Sequence, residues 1–138
     1  MTKQVDTQKY VEFVNGVTSK ESKEYIAFNS RCFEIQSGDD GLPVHRLLTA
    51  ALGICAEGGE FTEVVKKIVF QGKPVNEDNV FHMKRELGDI MWYVAQACMA
   101  LDTDFNEIIE MNVDKLKSRY PGGEFDVHYS ENRKEGDV

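Results

Sequence analysis

Residues 43–70 read PVHRLLTAALGICAEGGEFTEVVKKIVF, and residues 77–101 read EDNVFHMKRELGDIMWYVAQACMAL. In both stretches the apolar residues recur at intervals of three and four, which is the period of one helical face, and strand-like alternation is absent. Each is therefore read as a long helix, the first over 43–70 and the second over 77–101. The break between them is Gln71-Gly72-Lys73-Pro74, where glycine and proline both disfavour continuation. Further breaks fall at Ser37-Gly38-Asp39-Asp40-Gly41, Leu101-Asp102-Thr103-Asp104 and Tyr120-Pro121-Gly122-Gly123. They delimit additional helices over 7–16, 21–36 and 104–119, with an irregular polar tail over 121–138. Asp104 is placed to N-cap the last helix, with Glu107 as its capping-box partner. The expected fold is all-α: a bundle of four to five helices whose short connections make neighbours antiparallel.

Gly58-Gly59 interrupts the first long helix at a cost of up to about 1 kcal/mol per glycine relative to alanine. That cost points to a kink, or to a second backbone approaching closely there.

The 138 residues suit one domain, since two separate cores would each be too small. The content is 41% hydrophobic and 29% charged, a globular balance. A net charge of −8 argues against nucleic acid as a partner, because such binders need a basic face. No apolar run reaches the roughly 18–20 residues needed to span a membrane. The start, Met1-Thr2-Lys3-Gln4-Val5-Asp6, lacks the apolar core of a signal peptide. Cys32, Cys55 and Cys98 are odd in number and have no zinc-type spacing, so they read as reduced, buried thiols of a cytoplasmic protein.

Chemistry enters with two acidic pairs, Glu57-Gly58-Gly59-Glu60 and Glu86-Leu87-Gly88-Asp89. Residues at i and i+3 share a helical face, so each segment presents two carboxylates side by side. At about 100° per residue, Glu57 falls between Ala50, Val64 and Ile68, with Glu60 about 60° away. Glu86 falls beside Ile90, Tyr93 and Ala97, with Asp89 and His82 about 40–60° round the same side. Both pairs thus sit on the margins of faces that must pack, where acids are rare unless paired or metal-bound. An all-oxygen set of this kind suits Mg²⁺ or Mn²⁺ better than zinc. Either pair alone would also pass as a solvated face; their joint placement favours a metal site. Glu63, within i+4 reach of Lys67, reads as a surface ion pair.

The helix from Asp104 has Phe105, Ile108, Ile109, Leu116 and Tyr120 on its apolar face, with Asn112 in the middle. Lys115 and Arg119 flank that amide within about 60°. An amide among apolar residues needs hydrogen-bond partners, either another helix or, with cations beside it, phosphate oxygens.

These segments together resemble the MazG-like branch of the all-α nucleoside-triphosphate pyrophosphohydrolases, particularly the short single-domain forms of phages. The resemblance spans roughly 47–133. It rests on Leu-Leu-Thr-Ala-Ala-Leu-Gly (47–53), Glu57-x-x-Glu60, Glu-Val-Val-Lys-Lys (63–67), Glu86-Leu-Gly-Asp89 with Ile-Met-Trp-Tyr (90–93), and Asn112-x-x-Lys115-Leu-x-x-Arg119-Tyr-Pro. The tail from Phe125 to Asn132-Arg133 also looks like the phage-type ending, whereas residues 1–40 add little. The resemblance implies that Glu57, Glu60, Glu86 and Asp89 bind Mg²⁺ and carry catalysis. It further implies hydrolysis of (deoxy)nucleoside triphosphates to the monophosphate and pyrophosphate, by a homodimer or homotetramer. Asn112, Lys115 and Arg119 would then face the phosphates, Tyr93 would line a nucleoside pocket, and Trp92 would serve an oligomer contact. A phage-encoded protein of this type would work in the host cytoplasm. Two other functions share these features: a non-catalytic oligomerisation or nucleotide-sensing module, and a hydrolase of an alarmone such as ppGpp.

Overall fold

A computed structural model of the chain describes residues 3–132. Residues 1–2 and 133–138, including Arg133 of the tail motif, lie outside the described residues. Every regular element among the described residues is a helix. They fall into two compact units that divide after Val44.

The first unit holds α1 (Thr7–Gly16), α2 (Lys20–Lys23) and α3 (Tyr25–Ser37). Asp6 caps α1 by accepting from the Lys9 N–H at 3.1 Å. The single helix expected over 21–36 is in fact two. Glu24 is extended (φ −124°, ψ 119°) and belongs to both ends: its N–H donates to the Lys20 carbonyl, and its own carbonyl accepts from Phe28. The run Lys20-Glu21-Ser22-Lys23-Glu24 has no apolar side chain, so burial does nothing to keep the helix continuous there.

The second unit holds α4 (Val44–Phe70), α5 (Glu77–Ala100), α6 (Phe105–Arg119) and a short α7 (Val127–Glu131). The tail expected to be irregular therefore contains one turn of helix, started by the Asp126 carboxylate accepting from the His128 N–H at 2.8 Å. Gly72, with φ +71°, lets the chain reverse after α4 so that the Lys73 N–H returns to the Lys67 carbonyl at 3.0 Å. Asn76 then caps α5 through the Asn79 N–H at 2.9 Å. Asp102 takes a left-handed conformation (φ 53°) that ends α5, with the Thr103 N–H on the Cys98 carbonyl. Asp104 caps α6 as expected, at 2.9 Å from the Glu107 N–H. The Glu107 carboxylate accepts from the Thr103 hydroxyl, so the side-chain half of the expected box goes to a neighbouring residue.

α4 and α5 form an antiparallel hairpin whose register is read from three contacts. Arg46 Nη1 lies 3.2 Å from Met99 Sδ, Gly53 meets the Tyr93 ring, and Glu57 meets Glu86. Among the described residues no second backbone approaches Gly58-Gly59; the tight glycine contact is at Gly53, against the Tyr93 side chain. A Cβ built on Gly53 would stand 2.0 Å from Tyr93 Cδ1, whereas one on Gly58 or Gly59 would meet no atom within 4 Å. α4 runs on unbroken through Gly58-Gly59.

The apolar core of this unit consists of Ala50, Val64, Cys98 and Ala100, and no large side chain among the described residues is fully buried. Only Cys98 of the three thiols is buried; Cys32 is half-buried and Cys55 exposed, which corrects the expectation of three buried thiols. Apolar neighbours in sequence did not protect Cys55, because adjacent helical residues point about 100° apart. No helix among the described residues is long and apolar enough to cross a membrane.

Candidate metal centre

Glu86 and Asp89 stand one helical turn apart on α5, and the hairpin register sets Glu57 of α4 opposite them. One oxygen from each of these three carboxylates lies within 4.8 Å of the others, a separation one cation could bridge. Glu86 is the one buried charged residue among those described, Glu57 is half-buried and Asp89 is exposed. Removing a carboxylate from water is costly without a partner. Glu86 has two. His82 Nε2–H donates to Glu86 Oε1 at 2.9 Å, and the Glu57 carboxyl shares a hydrogen bond with it.

The Glu57 pKa is raised above the ordinary carboxylate value, chiefly by the hydrogen bond to Glu86. Partial desolvation and the charges of Asp89, Glu86 and Glu60 push it the same way. The donor set thus fits a hard divalent ion: oxygens only, negative in sum, and opening on one side to solvent.

Glu60 is exposed and is not one of the three converging acids, although it is near enough to raise the Glu57 pKa. On α6, Asn112 and Lys115 are exposed and Arg119 is half-buried. Tyr93 is half-buried against Gly53, one turn from Asp89, and Trp92 stands edge-on to its ring with centroids 4.9 Å apart. Glu63 pairs with Lys67 at 3.4 Å, as expected from its spacing, and also with Lys66 at 3.0 Å. The contact of His82 with Glu86 went unread in the sequence; its i, i+4 spacing was the available signal.

Residues 46–123 match the model of the MazG nucleotide pyrophosphohydrolase domain. The chain belongs to the MazG family. The matched segment lies wholly within the second unit and contains all three converging acids. The chain is also similar to Gene 37 protein of Mycobacterium phage L5, with 36% identity over 81 residues that cover 58% of this chain and 71% of that protein. No solved structure matches it. MazG domains are nucleotide pyrophosphohydrolases, which sets the class of substrate and of bond cleaved.

Proposed function

We propose that this protein hydrolyses (deoxy)nucleoside triphosphates to the nucleoside monophosphate and pyrophosphate, using Mg²⁺, for which Mn²⁺ substitutes. The observation that carries the reading is the convergence of Glu57, Glu86 and Asp89 within a MazG domain. These three hold the ion, and Glu60, one turn along α4, completes the acidic set. An ion held there would supply charge neutralisation on the triphosphate and a water of lowered pKa. A carboxylate oxygen of this set not engaged in binding would accept the proton of the attacking water. Lys115 and Arg119 receive the charge of the departing pyrophosphate, with Asn112 donating to a phosphate oxygen. Tyr93 offers the exposed part of its ring to the nucleoside.

A panel of nucleoside triphosphates, with product analysis, tests this reading. Monophosphate and pyrophosphate should appear in equal amounts with Mg²⁺ or Mn²⁺, and turnover should cease on chelation. Full turnover in metal-free buffer would sink the site assignment. Hydrolysis of ppGpp alone would move the substrate to the alarmones, and binding without turnover would make the domain a sensor.

We further propose that the working form is a homodimer or homotetramer. Four small buried apolar residues cannot hold α4 and α5 against the entropy of folding. Meanwhile Leu52, Phe70, Phe81, Met91 and Trp92 are 57–82%, or in the case of Met91 56%, exposed. Apolar side chains on this scale become stable when a second copy covers them. Light scattering at micromolar concentration should return two or four times 15.7 kDa. A monomeric mass with activity retained would contradict the assembly.

A further inference from the structure

We propose that His82 is a positioning residue of the metal centre, holding the Glu86 carboxylate in the orientation that ligates the ion. The inference rests on the reading of Glu86 as a ligand and adds a residue outside the acidic set. Glu86 is the most enclosed acid of the centre, with 12% of its side chain exposed. A carboxylate so placed has few ways to fix its plane: water reaches it poorly, and Glu57 shares only one hydrogen bond with it. His82, one turn earlier on α5, supplies the other at 2.9 Å, from a side chain that is itself 47% exposed. Both the Nε2-protonated neutral ring and the imidazolium donate at this nitrogen, so the contact needs no particular charge state. The bond from His82 comes from outside the acidic set, so it would hold the Glu86 carboxylate with a cation among the acids as well as without one. Partners of this kind orient ligands and typically contribute 10–100-fold in metal affinity or activity.

The test is Mn²⁺ binding to the full chain without nucleotide, followed by electron paramagnetic resonance. His82→Phe keeps a ring and removes the donor; His82→Gln removes the ring but keeps an amide N–H that reaches the Nε2 position. His82→Phe should bind Mn²⁺ about tenfold or more weakly, and His82→Gln should recover most of the affinity. A packing role would give the reverse order. Wild-type affinity in His82→Phe, or equal loss in both variants, would overturn the proposal. Glu86→Gln keeps its failure distinct from that of the metal reading. If Glu86→Gln loses Mn²⁺ while His82→Phe keeps it, only the role of His82 falls. If Glu86→Gln binds as the wild type does, the ligand assignment falls, and the role of His82 with it.

Discussion

Glu86→Gln should abolish most of the activity while leaving the metal-free protein at least as stable as the wild type. The two halves of this result come from the same geometry. Glu86 is buried beside Glu57 and within 4.8 Å of both other acids, so its charge is opposed in the apo state. A glutamine amide keeps the acceptor that His82 needs and gains an N–H for Glu57, while the repulsion disappears. Loss of a ligand at the reacting phosphates should cost at least about a hundredfold in turnover, the scale of other electrostatic elements of a transition state. Mg²⁺ at a hundred times its Kd should stabilise the wild type by about 2.7 kcal/mol. For a chain of this length that is on the order of 5–10 °C in melting temperature. The variant should show little of that shift. Near-normal turnover with an unchanged Mg²⁺ response would remove Glu86 from the site.

The second large effect is expected at three glycines of one helix, with opposite signs. Gly53→Ala places a methyl 2.3 Å from Tyr93 Cγ as well as 2.0 Å from Cδ1. Rotating the ring about χ2 leaves Cγ where it is, so relief needs a new χ1 rotamer or a wider α4–α5 spacing. Overpacking of this kind costs roughly 1–3 kcal/mol, against a helix-propensity gain of at most about 1 kcal/mol. The clash wins. Because Gly53 and Tyr93 lie one turn from Glu57 and Asp89, a wider seam should also weaken Mn²⁺ binding. Gly58→Ala and Gly59→Ala meet nothing within 4 Å and should each stabilise by about 0.5–1 kcal/mol. Thermal melts of the three variants check this order. Destabilisation at Gly59 together with a fall in oligomer mass would instead put a second chain against that face.

The long helices were legible because each carries its signals locally. Apolar period, the Asp104 cap and the Gly72-Lys73-Pro74 break sit within one or two turns of the ends they define, and the bounds of α1, α4, α5 and α6 agree with expectation to one residue. The break at Glu24 was less legible: the residues around it have adequate helix propensity, and what they lack is something to bury. α7 is a single capped turn, too short to show a period.

For the candidate metal centre, sequence alone determined which acids stand on which helical margins, since i, i+3 spacing and a fixed rotation per residue decide that within each helix. It also pointed to the family, through the order and spacing of motifs over roughly 47–133, and the MazG model matches residues 46–123. Tertiary structure alone decided which acids meet. The α4–α5 register brings Glu57 to Glu86 and Asp89 and leaves Glu60 exposed outside the trio, although Glu60 has the same local pattern. It likewise decided that the Tyr93 ring packs on Gly53 and not on Gly58-Gly59, and that His82 donates to the buried carboxylate. The physical reason is common to all three. A helix's own rotation is set by neighbouring residues, but register between helices is set by the fit of side chains far apart in sequence, which no single segment contains.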